Sequence, residues 1–197
     1  MLVVKNLNSE FYEIVSEKEK AAEIDLSDYA KLYLLNLLKG LVEKNDFFYK
    51  ELIGDDALGE AYMRALTLEL FTKVQKIKAV GDLCLIYSGL FPDRLNKKLV
   101  DIDYFIKLGK LSFYTLHKIY TNMNSISDLK NLYLSVYTDF VKVVAVLIEI
   151  AKSFKLIDET NLLKVYERWQ KTKIKGLYEI LKHNNIFPML SYKESEN

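Results

Sequence analysis

Leu58, Tyr62, Leu66, Leu70, Val74 and Ile77 recur every three or four residues, and no proline, and no glycine after Gly59, interrupts them before Gly81. That spacing places apolar groups on one face of a helix, because a helix turns once in 3.6 residues. The same period returns in Ala30, Leu34, Leu37, Leu38, Leu41 and Val42, and again in Ile102, Phe105, Gly109, Phe113, Leu116 and Tyr120. With two prolines and seven glycines in 197 residues, the chain has few places to break, so long elements follow. No period-two alternation and no Asn-Gly hairpin signal competes. The expected fold is all-α: a single-domain helical bundle spanning residues 1–197.

The helices can be placed in order. Ser9 to Glu23, dense in Glu and Lys, reads as a solvated surface helix. Asp25 or Ser27 can cap the helix that ends near Asn45-Asp46. Phe47-Phe48-Tyr49 opens a short turn closed by Gly54, and one helix should run from Asp55-Asp56 to Gly81. Asp101 is placed to cap a helix through about Thr121, in which Gly109 permits a close helix–helix approach. Ser125 with Asp128 resembles a capping box for a helix running to about Phe154. From Val141 to Ile150 nearly every face of that helix is apolar, which marks it as the central rod of the bundle. Asp158 should cap a further helix bearing Leu162, Val165, Tyr166 and Trp169. Residues 191–197 are polar and read as a mobile tail.

Cys84 is the single cysteine, which excludes an internal disulfide and a cysteine-ligated zinc. The chain opens without a basic region followed by an apolar core, and Val143 to Ile150 is too short to span a bilayer. A cytoplasmic protein away from membranes is expected. The net charge of +1 hides an asymmetry: residues 1–60 hold 13 acidic and 7 basic side chains, leaving 14 and 21 for the rest. Such polarity favours self-association, a dimer for example, or an oriented protein partner. It argues against nucleic acid, whose binders concentrate basic charge on one element.

Few residues suggest chemistry. His117 and His183 lack the paired Glu-x-x-His spacing of a di-iron bundle, so each reads as a satisfied or exposed histidine. No Gly-rich phosphate loop, His-Glu-x-x-His zinc helix or Gly-x-Ser-x-Gly elbow is present. A triad drawn from Ser88, His117 and Asp82 is no better than chance. Cys84, set among Leu83, Leu85 and Ile86, reads as a small buried hydrophobe. Arg168, Lys171, Lys173 and Lys175 surround Trp169 and Ile174, a set read first as a solvated helix face.

The stretch from Val80 to Tyr104 stands apart. Asp82 follows Gly81 inside an apolar run, and a carboxylate buried there must be bonded or paired. One reading is architectural: Gly81 permits a kink or a tight crossing, Asp82 caps a backbone break and Phe91-Pro92 begins a turn. The other is a site. Arg94, Tyr87 and Tyr104 are possible partners for Asp82, and Asp82, Asp101 and Asp103 would form a carboxylate cluster for a metal or a cationic ligand, with tyrosines lining the cleft and His117 near it. The candidate ligand-binding residues are therefore Asp82, Tyr87, Arg94, Asp101, Asp103, Tyr104 and His117, with no catalytic role, metal site or cofactor assigned.

The pattern Gly81-Asp82, Leu85, Tyr87, Gly89, Phe91-Pro92, Asp103-Tyr104, Leu108-Gly109 and Tyr114 resembles that of a group of uncharacterised bacterial proteins. Tyr33-Leu34 and Leu37-Leu38 upstream are similar as well, so the resemblance covers about Tyr29 to Phe140. It implies an independent all-helical domain and no activity. The expected function is thus that of a non-catalytic helical protein that binds or regulates a partner. The alternative is a ligand- or metal-binding helical enzyme with a carboxylate and tyrosine cleft near residues 81–104.

Overall fold

A computed structural model describes residues 7–43, 49, 52–54, 56–91, 101–123 and 127–188. Among the described residues the protein is all-α, with nine helices and no strand. They are α1 (Leu7–Ala22), α2 (Asp28–Glu43), α3 (Leu58–Ala65), α4 (Leu70–Gly89), α5 (Ile102–Asn122), α6 (Ser127–Thr138), α7 (Phe140–Ser153), α8 (Leu162–Thr172) and α9 (Lys175–His183). None is long and apolar enough to cross a membrane.

The centre is α7. Every residue from Val143 to Ala151 is buried, and α7 packs against α1, α2, α4, α5, α6 and α9. A helix enclosed on all sides has no polar face to offer, which is why Val143 to Ile150 carries a single charge, Glu149. The central rod differs from expectation at one residue. Asp139, at φ −89° and ψ 10°, separates α6 from α7. The ladder continues across it, since Asp139 N–H donates to Ser135 O and Asp139 O accepts from Val143 N–H, each at 2.8 Å.

Two expected boundaries also move. Residues 66–69 form a turn that splits the helix expected from Asp55 to Gly81, held by Thr67 Oγ1 donating to Arg64 O at 2.9 Å. The turn shifts the helical phase, so Leu66 and Leu70, expected to be buried, are exposed. Gly81 does not end a helix and Asp82 does not cap a break. Both lie well inside α4, whose ladder runs on to Gly89.

The reason glycine stands at position 81 is proximity. Helices α4 and α5 run antiparallel, with Gly81 against Phe113, Cys84 against Gly109 and Tyr87 against Phe105. A Cβ on Gly81 would stand 2.9 Å from Phe113 Cζ, and one on Gly109 would strike the Phe140 ring and sit 2.9 Å from Cys84 Cβ. The close approach expected of Gly109 is present.

Caps differ in detail. Asp101 precedes α5 in an extended conformation, yet its side chain pairs with Lys171 instead of capping. The cap of α8 is Asn161, which accepts from Lys164 N–H, while Asp158 accepts from Thr160 N–H at 3.0 Å. Asn45, Asp46, Phe47, Phe48, Asp55, Ser125 and the expected tail lie outside the described residues.

Two glycine substitutions should separate packing from propensity. Gly109→Ala is expected to lower stability by about 1–2 kcal/mol, because overpacking outweighs the gain in helix propensity. Gly40→Ala, in α2 with nothing within 4 Å of the new methyl, should raise stability by up to about 1 kcal/mol. Urea unfolding of both variants reads the two signs.

Candidate functional site

Asp82 is 3% exposed in the middle of α4, and its carboxylate is fully engaged. Oδ1 accepts from the Tyr33 hydroxyl of α2. Oδ2 accepts from the Tyr49 hydroxyl at 3.2 Å and from Lys78 Nζ at 2.7 Å. Lys78 lies one turn earlier on α4, and its ammonium stands 5.1 Å from the centroid of the Tyr33 ring. Carboxylate, phenol and ammonium thus close on one another around the side of α4 that faces α2.

The aromatic lining continues from there. Tyr33 meets Phe113 edge-on at 5.2 Å, and Phe113 stacks with Tyr133 at 6.3 Å. Tyr133 in turn stacks with Tyr120 at 5.5 Å. Burial, and after it the Asp82 charge, pushes the phenols of Tyr33 and Tyr49 well above their ordinary range. Burial first, then Tyr120 and Asp82, does the same at Tyr133. The Tyr33 and Tyr49 hydroxyls act here as donors to Asp82. Burial, then Asp82, likewise pushes the Cys84 thiol up, which removes it as a nucleophile.

The other sequence-predicted residues are not gathered around Asp82. In the antiparallel α4–α5 pair Asp82 lies level with about Ser112, whereas Asp103 sits some nine residues away, about 13 Å along the axis. Asp101 pairs with Lys171. Tyr87 packs on Phe105 at 6.0 Å, and Tyr104 is 38% exposed with its hydroxyl over Gly59. His117 is half-buried, its Nδ1 3.0 Å from Lys130 O. Arg94 and Pro92 lie outside the described residues. Among the described residues no group of three His, Cys, Asp or Glu side chains is placed to hold a metal. Ser88, His117 and Asp82 form no triad, since His117 and Asp82 are bonded elsewhere and Ser88 Oγ is buried without a hydrogen-bond partner among the described residues.

Three partners of Asp82 escaped the sequence reading. Lys78 was legible in principle, being four residues before Asp82 and therefore on the same helix face. Tyr33 and Tyr49 were not, because only the tertiary fold carries them to α4. The basic segment is also resolved into individual contacts. Arg168 and Trp169 are buried, Lys171 pairs with Asp101, Lys173 lies 4.1 Å over the Trp169 ring and Lys175 bonds Glu23 at 2.5 Å.

A second carboxylate joins distant segments. Asp139 Oδ2 accepts from Ser27 N–H at 3.0 Å and Oδ1 pairs with Lys142 at 3.1 Å. Burial pushes its pKa up, but the Ser27 amide and hydroxyl together with Lys142 outweigh burial and hold it below the ordinary 3.8. Elsewhere, a cleft of about 550 Å³ is lined by Lys152, Glu159, Glu179, Ile180, Lys182 and His183. None of the predicted site residues that lie among the described residues lines it. Compared with known proteins, the chain matches no family model, no curated protein and no solved structure.

Two outcomes follow from the buried carboxylates. Asp82→Asn should cost about 1–3 kcal/mol in urea unfolding, since an amide cannot accept from all three donors. Lys78→Met should cost a similar amount, about 1–3 kcal/mol, because it leaves the buried carboxylate with the two phenols and without its cation. For Asp139 the lowered folded-state pKa means that its stabilisation is complete above the unfolded value and is lost as pH falls through the folded one. Asp139→Asn should therefore flatten the acid limb of a stability-against-pH curve, and an unchanged limb would contradict the assignment.

Proposed function

We propose that the protein is a non-catalytic helical protein that binds or regulates a protein partner. The observation that carries this reading is the corner between α3 and α4. There Met63 is 64% exposed, Leu66 37%, Leu70 45% and Phe71 75%. Single exposed apolar side chains are ordinary, but four within two short turns of chain make a patch of the sort that partners cover. Its origin is the 66–69 turn, which rotates Leu66 and Leu70 out of the buried stripe.

Support also comes from how the chemically capable side chains are used. Asp82 is saturated by internal donors, and the remaining candidate carboxylates stand apart. The alternative, a ligand- or metal-binding enzyme centred on residues 81–104, draws support from Asp82 and its tyrosines alone, and those donors already fill the carboxylate.

The test uses paired baits in a native cell extract. Wild-type protein should retain a protein in fixed proportion, and Phe71→Asp with Met63→Ser should retain roughly tenfold less while unfolding at the wild-type temperature. Equal retention by both baits would overturn the docking role of this corner.

A further inference from the structure

We infer that copies of this chain associate head to tail, the exposed acidic stripe of α1 docking on a basic, aromatic face of α5 and α6. On α5 the exposed residues Lys107, Leu111, Tyr114 and Lys118 recur at four- and three-residue spacing, with Lys110 and His117 beside them. They form one face. The Lys118 ammonium stands 5.3 Å from the Tyr114 centroid and that of Lys110 stands 5.0 Å from the Tyr137 centroid of α6. Tyr114 and Tyr137 meet at 5.2 Å. Among the described residues no carboxylate engages Lys107, Lys110, Lys118 or Lys130.

The complementary surface is in the same chain. Glu10, Glu13 and Glu17, all exposed, recur at three- and four-residue spacing on α1, and Glu17 also pairs with its neighbour Lys18 at 2.8 Å. Glu10 and Glu17 are about 10 Å apart along their axis, and Lys110 and Lys118 about 12 Å along theirs. Within one copy no ion pair joins the two stripes among the described residues: α1 packs on α7 and α2, and α5 packs on α4, α6 and, over fewer residues, α7. The acidic excess of residues 1–60 and the basic excess of the rest orient approaching copies in the same sense.

A single-stranded nucleic acid fits this face less well. Bases bind such surfaces by stacking on aromatic planes. Here lysine ammoniums and the Tyr114–Tyr137 contact occupy those planes. Because the two surfaces lie on different helices, a single contact between two copies leaves one stripe open on each, and association can continue into a ring or an open chain. It stands apart from the α3–α4 corner, so either can fail with the other intact.

Sedimentation velocity of the full chain over a concentration series tests the inference. Salt of about 10 mM and about 1 M brackets screening lengths of about 30 and 3 Å. Mass should rise with concentration at low salt and fall to that of the monomer at high salt. Lys107→Glu with Lys118→Glu, and separately Glu10→Lys with Glu17→Lys, should each weaken association roughly tenfold or more, and an equal mixture of the two variants should restore it. Lys73→Glu with Lys76→Glu, the same charge change on α4, should associate as the parent does. A monomer at low salt, no recovery in the mixture, or the same loss in the α4 control would overturn the inference.

Discussion

A carboxylate cannot be taken out of water unless donors replace the water it loses. Asp82 meets that demand with two phenols and one ammonium, drawn from α2, from Tyr49 and from its own helix. The arrangement fixes the relative placement of α2 and α4, because only one rotation of each helix brings the Tyr33 hydroxyl to Oδ1. The aromatic series from Tyr33 through Phe113 to Tyr133 then relays that placement into α5 and α6 by ring packing. Gly81 and Gly109 make the relay feasible, for a methyl at either position would hold α4 and α5 apart.

The same economy governs the remaining buried charges. Glu19 accepts from Leu26 N–H at 3.2 Å and pairs with Lys31, holding the link between α1 and α2. Asp139 takes the Ser27 amide from that same link. Both Glu149 oxygens accept from Lys152 at 3.1 Å, and a Cβ on Gly176 would collide with Oε1, so a side chain there would push the Glu149 carboxylate aside. Each interior carboxylate thus answers an amide or ammonium that the fold brings within reach. The two surfaces proposed for association, the apolar corner at α3–α4 and the opposed charges of α1 and α5, lie outside this interior.

The helical architecture was legible because period and the scarcity of breakers are local properties, and Val143 to Ile150 announced the central helix by lacking a polar face. The turn at 66–69 was not legible, since Leu66 and Leu70 keep the apolar period while Thr67 and Glu69 give only a weak signal to break it. Gly81 was legible in part: it offered a helix end, a kink or a tight crossing, and only the Phe113 ring on the neighbouring helix decides for the crossing. Asp82 was recognised as a residue needing partners, but the partners proposed were near in sequence. Two of the real ones lie on segments more than thirty residues upstream. Asp101 and Asp103 share a helix start, which makes them neighbours of each other and not of Asp82.

The central claim is that Asp82 and Tyr33 act as one unit binding α2 to α4. A double-mutant cycle of Asp82→Asn and Tyr33→Phe, read by urea unfolding, measures that coupling directly. The two substitutions should fall short of additivity by about 1–3 kcal/mol, since each removes the same hydrogen bond. Additivity within about 0.5 kcal/mol would contradict the account and leave Asp82 a carboxylate whose burial serves some other end.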